Sequence, residues 1–226
     1  MSDTRKERIV TIDGPSGVGK STISRRIAAS LSFTYLDTGA MYRAVGLKLK
    51  EARVDLDDAD AVLDCLNATS LKLLPARAGS DGVGVLLDGR DVSQEIRSPE
   101  MSMIASATSA LPAVREKLTL MQQEIGIEGK IVAEGRDTGT VVFPGAAWKF
   151  YLDAAPGIRM QRRAEQLRSQ GKQVDEDELL AMTVKRDHDD QSRSIAPLCK
   201  AVDAHVIDTS LLSIDEVTEA MLALIT

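Results

Sequence analysis

A chain of 226 residues, 43% hydrophobic and 27% charged, has enough apolar material for one large domain or one domain carrying small inserts. Its net charge of −6 and 3% aromatic content supply neither the basic footprint nor the stacking rings of a nucleic-acid binder. No apolar run approaches the roughly 18 residues that span a bilayer, and the polar opening MSDTRKER is neither signal peptide nor anchor. These features predict a cytoplasmic protein without membrane contact. Cys65 and Cys199 make neither a disulfide framework nor a metal cluster, so both are expected as reduced thiols.

In chain order, RIVTID (8–13) is a short apolar run rich in β-branched residues and predicts a buried strand. Then comes GPSGVGKST (14–22), followed by helical spacing in TISRRIAASL. Strand, Gly-rich loop and helix together form the context in which this pattern holds phosphates. Gly14, Gly17 and Gly19 let the backbone turn tightly and point its N–H groups inward, where side chains would block an anion. The helix start adds its positive dipole end. Lys20 is placed to reach the β- and γ-phosphates and the Ser21 hydroxyl to bind Mg²⁺, so a nucleoside triphosphate is the expected donor and Mg²⁺ its companion ion. The triphosphate-binding stretch is Gly14, Pro15, Ser16, Gly17, Val18, Gly19, Lys20, Ser21 and Thr22.

A second strand is expected in FTYLD, a helix in TGAMYRAVGLKLKEA and another in DADAVLDCLNA. From about residue 69, SLKLLP, GSDGVGVLLDG and RDVS alternate with Asp-Gly turn signals at 81–82 and 88–89, the pattern of a small antiparallel meander. Helices resume in RSPEMSMIASATSAL and after Pro112. KIVAEG (130–135) and WKFYLD (148–153) predict two more buried strands, with helices at about 157–169 and 175–191 separated by SQGKQVDED. AHVIDT is the last strand, and Ser213 and Glu216 have capping-box spacing ahead of the last helix. Strands alternating with helices imply a parallel, doubly wound α/β core with ligands at the strand carboxyl ends.

The positive charge gathers in arginines. Arg43 lies just past the second strand, where it is either an exposed helical arginine or a fork for a phosphate. Arg136 and Asp137 sit in a Gly-flanked turn after the third core strand, as a salt-bridged turn or as a ligand site. Arg186, Asp190 and Arg193 share one helix face, which is either solvated or functional. Arg159 neighbours both Arg162 and Arg163; such crowded cations call for a triphosphate or for acids such as Glu165. Transfer between two phosphorylated ligands needs alignment and neutralisation, and an ionised phosphate acceptor needs no general base. His188 and His205 have no obvious partners and are expected to be structural. A metabolite kinase of the shikimate type would place a further acid after the second strand, where Asp37 is followed by Thr38 and Gly39. A guanine-reading Asn-Lys-x-Asp motif is impossible because Asn67 is the sole asparagine.

TIDGPSGVGKST, YLDTGAMYR, DVSQEIRSPEMSMIAS, EGRDTGTVVFPGA, KRDHDDQSRSIAPL and DAHVIDTS occur in the order seen in bacterial cytidylate kinases, and over nearly its whole length the chain resembles that family of P-loop nucleoside-monophosphate kinases. The resemblance implies a P-loop NTPase α/β core with a five-stranded parallel sheet flanked by helices, an NMP-binding insert with a small antiparallel sheet, and a short helical lid. It implies one domain over 1–226, with core at about 1–57, 111–155 and 192–226, NMP-binding region at about 58–110 and lid at about 156–191. The implied reaction moves the ATP γ-phosphate to CMP or dCMP in a monomer that binds neither nucleic acid nor membrane. By matching position, Ser106, Arg115 and Asp137 would read cytosine with Arg193 nearby, and Arg43 and Arg136 would hold the CMP phosphate. Tyr42, Arg186 and Asp190 would face the sugar, and Thr38 joins them on the acceptor side. Arg159, Arg162 and Arg163 match the lid region, with Arg159 and Arg162 on ATP. Lys20, Arg136, Arg159 and Arg163 would then be the catalytic set.

Overall fold

Strand β1 (Ile9–Asp13) is buried at all five positions, as a run of apolar and β-branched residues dictates for a strand covered on both faces. The computed structural model of the protein describes residues 8–75, 82–169 and 171–225. β1 is the middle of a five-stranded sheet ordered β2-β6-β1-β7-β8, with β2 at Thr34–Asp37, β6 at Ile131–Gly135, β7 at Trp148–Asp153 and β8 at His205–Asp208. Its pairing with β6 is parallel and in register from Ile9 opposite Ile131 to Asp13 opposite Gly135. On the other side β7 runs parallel to it, Val10 opposite Trp148 and Asp13 opposite Tyr151. The chain moves outward in opposite directions from β1, so the loops after β1 and β6 open at a switch point, where ligands of doubly wound sheets bind.

The chain divides into two compact units, Met1–Tyr35 with Glu128–Thr226, and Leu36–Ile127. In the first, helices α1 (Lys20–Leu31) and α8 (Ile214–Leu224) bury an apolar stripe on the sheet. Ile23, Ile27, Val217 and Met221 meet Val10, Ile12, Val132, Phe150 and Leu152, and the half-buried Trp148 packs against the same cluster. α8 starts with the expected capping box: Glu216 donates its N–H to Ser213 Oγ at 3.2 Å, and Ser213 returns its own to Glu216 Oε2 at 2.8 Å. α6 (Pro156–Ser169) and α7 (Glu176–Ser192) complete this unit. Gln170 lies outside the described residues, as do residues 1–7.

The second unit holds α2 (Thr38–Glu51), α3 (Ala59–Asn67), α4 (Pro99–Thr108) and α5 (Pro112–Ile125). Its antiparallel sheet orders β3 (Leu71–Leu74), β4 (Gly84–Leu87) and β5 (Arg90–Asp91), the meander the turn signals predict. Asp88 and Gly89 both take positive φ, 51° and 82°, between the paired residues Leu87 and Arg90. That is the geometry a tight primed hairpin turn requires. Of the other turn signal, Asp81 lies outside the described residues. α4 begins at Pro99 because Ser98 accepts the Met101 N–H at 3.1 Å, so the helix expected from residue 97 starts two residues later, after a 3₁₀ turn over Glu95–Arg97. Among the described residues, no helix is long and apolar enough to cross a membrane. Cys65 is half-buried and Cys199 exposed, both as free thiols.

Candidate active site

The loop after β1 is shaped by its glycines. A Cβ on Gly14 (φ +146°) would lie 2.0 Å from the Leu152 carbonyl oxygen, and one on Gly17 (φ +85°) would lie 3.0 Å from Arg159 Cβ. Lys20, the first residue of α1 and 8% exposed, donates Nζ to the Gly14 carbonyl at 2.7 Å and the Pro15 carbonyl at 2.6 Å. Burial, and then the guanidiniums of Arg136 and Arg186, hold its pKa well below the ordinary lysine value, against the pull of Glu134 and Asp13. Val18 is buried, Thr22 half-buried and Ser21 exposed. A helix-starting hydroxyl with room for water suits Mg²⁺, which keeps several waters and takes its remaining ligands from phosphate oxygens.

α6 and α7 grip the tip of this loop. Arg159, 3% exposed, donates Nε to the Ala154 carbonyl at 2.8 Å and Nη1 to the Ser16 carbonyl at 3.1 Å. Its Nη1 and Nη2 also fork the Asp187 carboxylate at 3.1 and 2.5 Å. Arg186 donates Nη1 to Ser16 Oγ at 3.2 Å, so the carbonyl and the hydroxyl of one loop residue are both held. The helical spacing sets Arg159, Arg162 and Arg163 side by side, yet their guanidiniums diverge. Arg162 reaches Thr209 Oγ1 and O at 3.1 and 2.5 Å, and Arg163 reaches Gln166 Oε1 at 2.7 Å. Gln161, rather than an arginine, donates to Glu165, at 3.4 Å. Beside Arg159 a cleft of about 660 Å³ is lined by Asp153, Pro156, Asp187, His188, Asp208 and Ser210 among others.

The turn after β6 carries Arg136 and Asp137. Arg136 Nε donates to Asp190 Oδ2 at 2.8 Å and Nη1 to the Gly135 carbonyl at 3.2 Å. Arg193 Nη1 lies 4.0 Å from Asp190 Oδ1, and its Nη2 donates to the Ala196 carbonyl at 2.7 Å. Burial works against the Asp190 carboxylate, but Arg136, Arg186 and Arg193 outweigh it and hold its pKa below the ordinary aspartate value. Burial would likewise lower the Arg136 pKa, and the carboxylates of Asp190, Glu134 and Asp13 carry it upward instead. The spacing of Arg186, Asp190 and Arg193 therefore marks a half-buried to buried network, with the solvated face carried by neighbours such as Lys185 and Asp189. Asp137, 5% exposed, opens a π-helical turn over Thr138–Val142, its carbonyl accepting the Val141 and Val142 N–H groups at 2.9 and 3.2 Å.

In the second unit, Asp37 caps α2 by accepting the Ala40 N–H at 2.8 Å and reaches Arg43 Nη2 at 3.4 Å. The buried Nε of Arg43 has no hydrogen-bond partner among the described residues. Arg115, 4% exposed, lies with its guanidinium carbon 5.5 Å from the Tyr42 ring centroid and donates Nη1 to the Ser109 carbonyl at 3.1 Å. Thr38 is buried at the start of α2, and Ser106 is half-buried on α4.

Sequence reasoning passes over three acids. Asp187 lies one residue from Arg186, but its partner is 28 positions away and is found only once α6 and α7 pack. Glu134, buried on β6, accepts the Tyr35 hydroxyl at 2.5 Å. Asp13 ends β1; its strand-end position ahead of Gly14 was the available signal. Both histidines are exposed, His188 in the cleft wall and His205 with its ring 5.7 Å from that of Phe150.

A model described as cytidylate kinase matches residues 10–226. A cytidylate kinase of Carboxydothermus hydrogenoformans is 44% identical over 216 residues, 96% of each chain. One of Fervidobacterium nodosum is 45% identical over 216 residues, 96% of this chain and 95% of that protein. A bifunctional pantoate ligase/cytidylate kinase of Synechococcus elongatus is 45% identical over 218 residues, where 96% of this chain spans 41% of the longer protein. With the match running from Val10, the second residue of β1, to the last residue, the chain belongs to the cytidylate kinase family.

Proposed function

We propose that the protein transfers the γ-phosphate of ATP to CMP and dCMP, giving CDP and dCDP. The observation that carries the reading is the pairing of β1 with β6, which opens the Lys20 loop and the Arg136–Asp137 turn from adjacent, in-register strand ends. The names of the curated relatives support the acceptor. Residues 14–22 take the ATP phosphates, with Lys20 on the β- and γ-phosphates and Ser21 holding Mg²⁺, which supplies charge neutralisation of the phosphate oxygens when bound. The cleft beside Arg159 has the volume of a small-ligand pocket and is assigned to the donor's base and ribose.

Arg136, with Arg43, is assigned to the CMP phosphate; the unpartnered Arg43 Nε supports this. Asp137 accepts from the cytosine amino group, while Ser106 and Arg115 donate to its carbonyl and ring nitrogen. Arg193 lies near the base, Tyr42, Arg186 and Asp190 face the sugar, and Thr38 lies on the acceptor side. The acceptor phosphate, with a second pKa of about 6, is its own nucleophile, so no general base is assigned. Arg159 and Arg163 stabilise the transferred phosphoryl group, and Arg162 contacts ATP. The division into core, NMP-binding region (58–110) and lid (156–191) belongs to the same reading, as does a cytoplasmic monomer with neither nucleic-acid nor membrane partners. The acidic balance of the chain supports the last point.

ADP release with ATP and Mg²⁺ is the test, with CMP, dCMP, UMP, AMP and shikimate offered in parallel. Strong turnover confined to CMP and dCMP is expected. Turnover with shikimate, or with none of them, would leave the phosphate loop standing and remove the acceptor.

A further inference from the structure

Asp13 is a carboxylate 5% exposed at the end of the central strand, one residue before the phosphate loop. A buried carboxylate survives where its oxygens are met by donors, and three meet this one. Oδ1 accepts the Thr138 N–H at 2.9 Å and the Thr138 hydroxyl at 2.8 Å, and Oδ2 accepts the Gly139 N–H at 2.8 Å. All three donors belong to the first two residues of the π-helical turn that follows Asp137. Gly139 leaves no slack: a Cβ there would lie 2.8 Å from Thr11 Oγ1 and 3.4 Å from Asp13 Oδ2. Single π turns are uncommon and gather at functional positions. Here the departure from ordinary helix is held by a side chain from the neighbouring strand.

The backbone that follows Asp137 is therefore held from β1. Its own carbonyl closes the turn onto Val141 and Val142, while the next two amides are pinned by Asp13. We propose that Asp13 is a positioning residue that aims Asp137 at the acceptor base and ties base recognition to the backbone of the phosphate-binding loop. This rests on the assignment of Asp137 to the cytosine amino group.

The experiment measures kcat/KM for CMP and for UMP, which has a carbonyl in place of that amino group, at saturating ATP and Mg²⁺. Asp13→Asn keeps the shape and removes a buried charge, but sets an NH₂ against an N–H or O–H donor. The CMP-over-UMP preference should fall about tenfold or more, the scale of a charge-assisted hydrogen bond. Thr138→Val removes one donor of three and should lower the preference by about threefold, which keeps the test alive if Asp13→Asn fails to fold. In an Asp137→Ala background, Asp13→Asn should change the preference no further. Loss of turnover with an unaltered preference in Asp13→Asn and Thr138→Val would overturn the proposal while the base assignment stands. An unaltered preference in Asp137→Ala itself would overturn both.

Discussion

Arg159 and Asp187 meet as a fork on a carboxylate, Nη1 at 3.1 Å and Nη2 at 2.5 Å, with the arginine side chain 3% and the aspartate 14% exposed. The same guanidinium holds the Ser16 carbonyl, so the pair joins α6, α7 and the phosphate loop at one point. Removing one partner of a buried ion pair leaves the other charge uncompensated. Asp187→Ala should therefore cost about 3 kcal/mol in urea unfolding. Lys185→Ala, which breaks the exposed Lys185–Asp189 pair on the same helix, should cost under about 0.5 kcal/mol. Equal losses in the two variants would show the Arg159 pair to be energetically idle.

Lys20 should be indispensable, and its titration should be visible. Lys20→Ala is expected to abolish turnover; near-normal rates would contradict the donor site. Because burial and two guanidiniums lower its pKa, the free enzyme loses this positive charge as pH rises through a value below the ordinary lysine range. The kcat/KM for ATP should fall on the alkaline side at a lower pH than an ordinary lysine would give. An alkaline limb at the unperturbed lysine value of about 10.4 would count against that environment.

Asp190 predicts an acid limb in stability. A carboxylate whose folded pKa is depressed stabilises the fold above its unfolded value, and the stabilisation goes as pH falls through the folded one. The stability gap between the parent protein and Asp190→Asn should be widest above about pH 5 and close as the pH drops below about 4. A gap that is constant with pH would remove the carboxylate's charge from the account.

The glycines of the loop should differ in what they tolerate. Gly14→Ala drives a Cβ to 2.0 Å from the Leu152 carbonyl, inside the sheet, and is expected to prevent folding. Gly17→Ala adds strain of about 1–2 kcal/mol at φ +85° and a 3.0 Å contact with Arg159 Cβ. It should yield folded protein with a KM for ATP raised about tenfold, the equivalent of 1.4 kcal/mol. Comparable soluble yields of both would refute the distinction.

Most of the fold is legible because its signals are local. β-branched runs mark β1 and β6, Asp88-Gly89 marks the hairpin, and the Ser213–Glu216 spacing marks the start of α8. The π-helical turn is not legible, since TGTVV has no helical signature and its first two residues bond to Asp13 on β1, far away in sequence. The arginine clusters illustrate both sides. The spacing of Arg186, Asp190 and Arg193 marks a real network because α7 carries the first two and ends at the third. The spacing of Arg159, Arg162 and Arg163 suggests a cluster that disperses, because each long side chain follows the nearest acceptor that packing brings to it.

Trp148 is the chain's single tryptophan, set on β7 against the core of the first unit. Leu36–Ile127 contains no such residue, so indole emission is silent about it. A denaturation curve followed by emission reports the core around β7, whereas far-ultraviolet circular dichroism weights both units by their helices. Separated midpoints would mean that the Leu36–Ile127 unit melts on its own, and the protein thus carries a built-in optical label for one half of its folding.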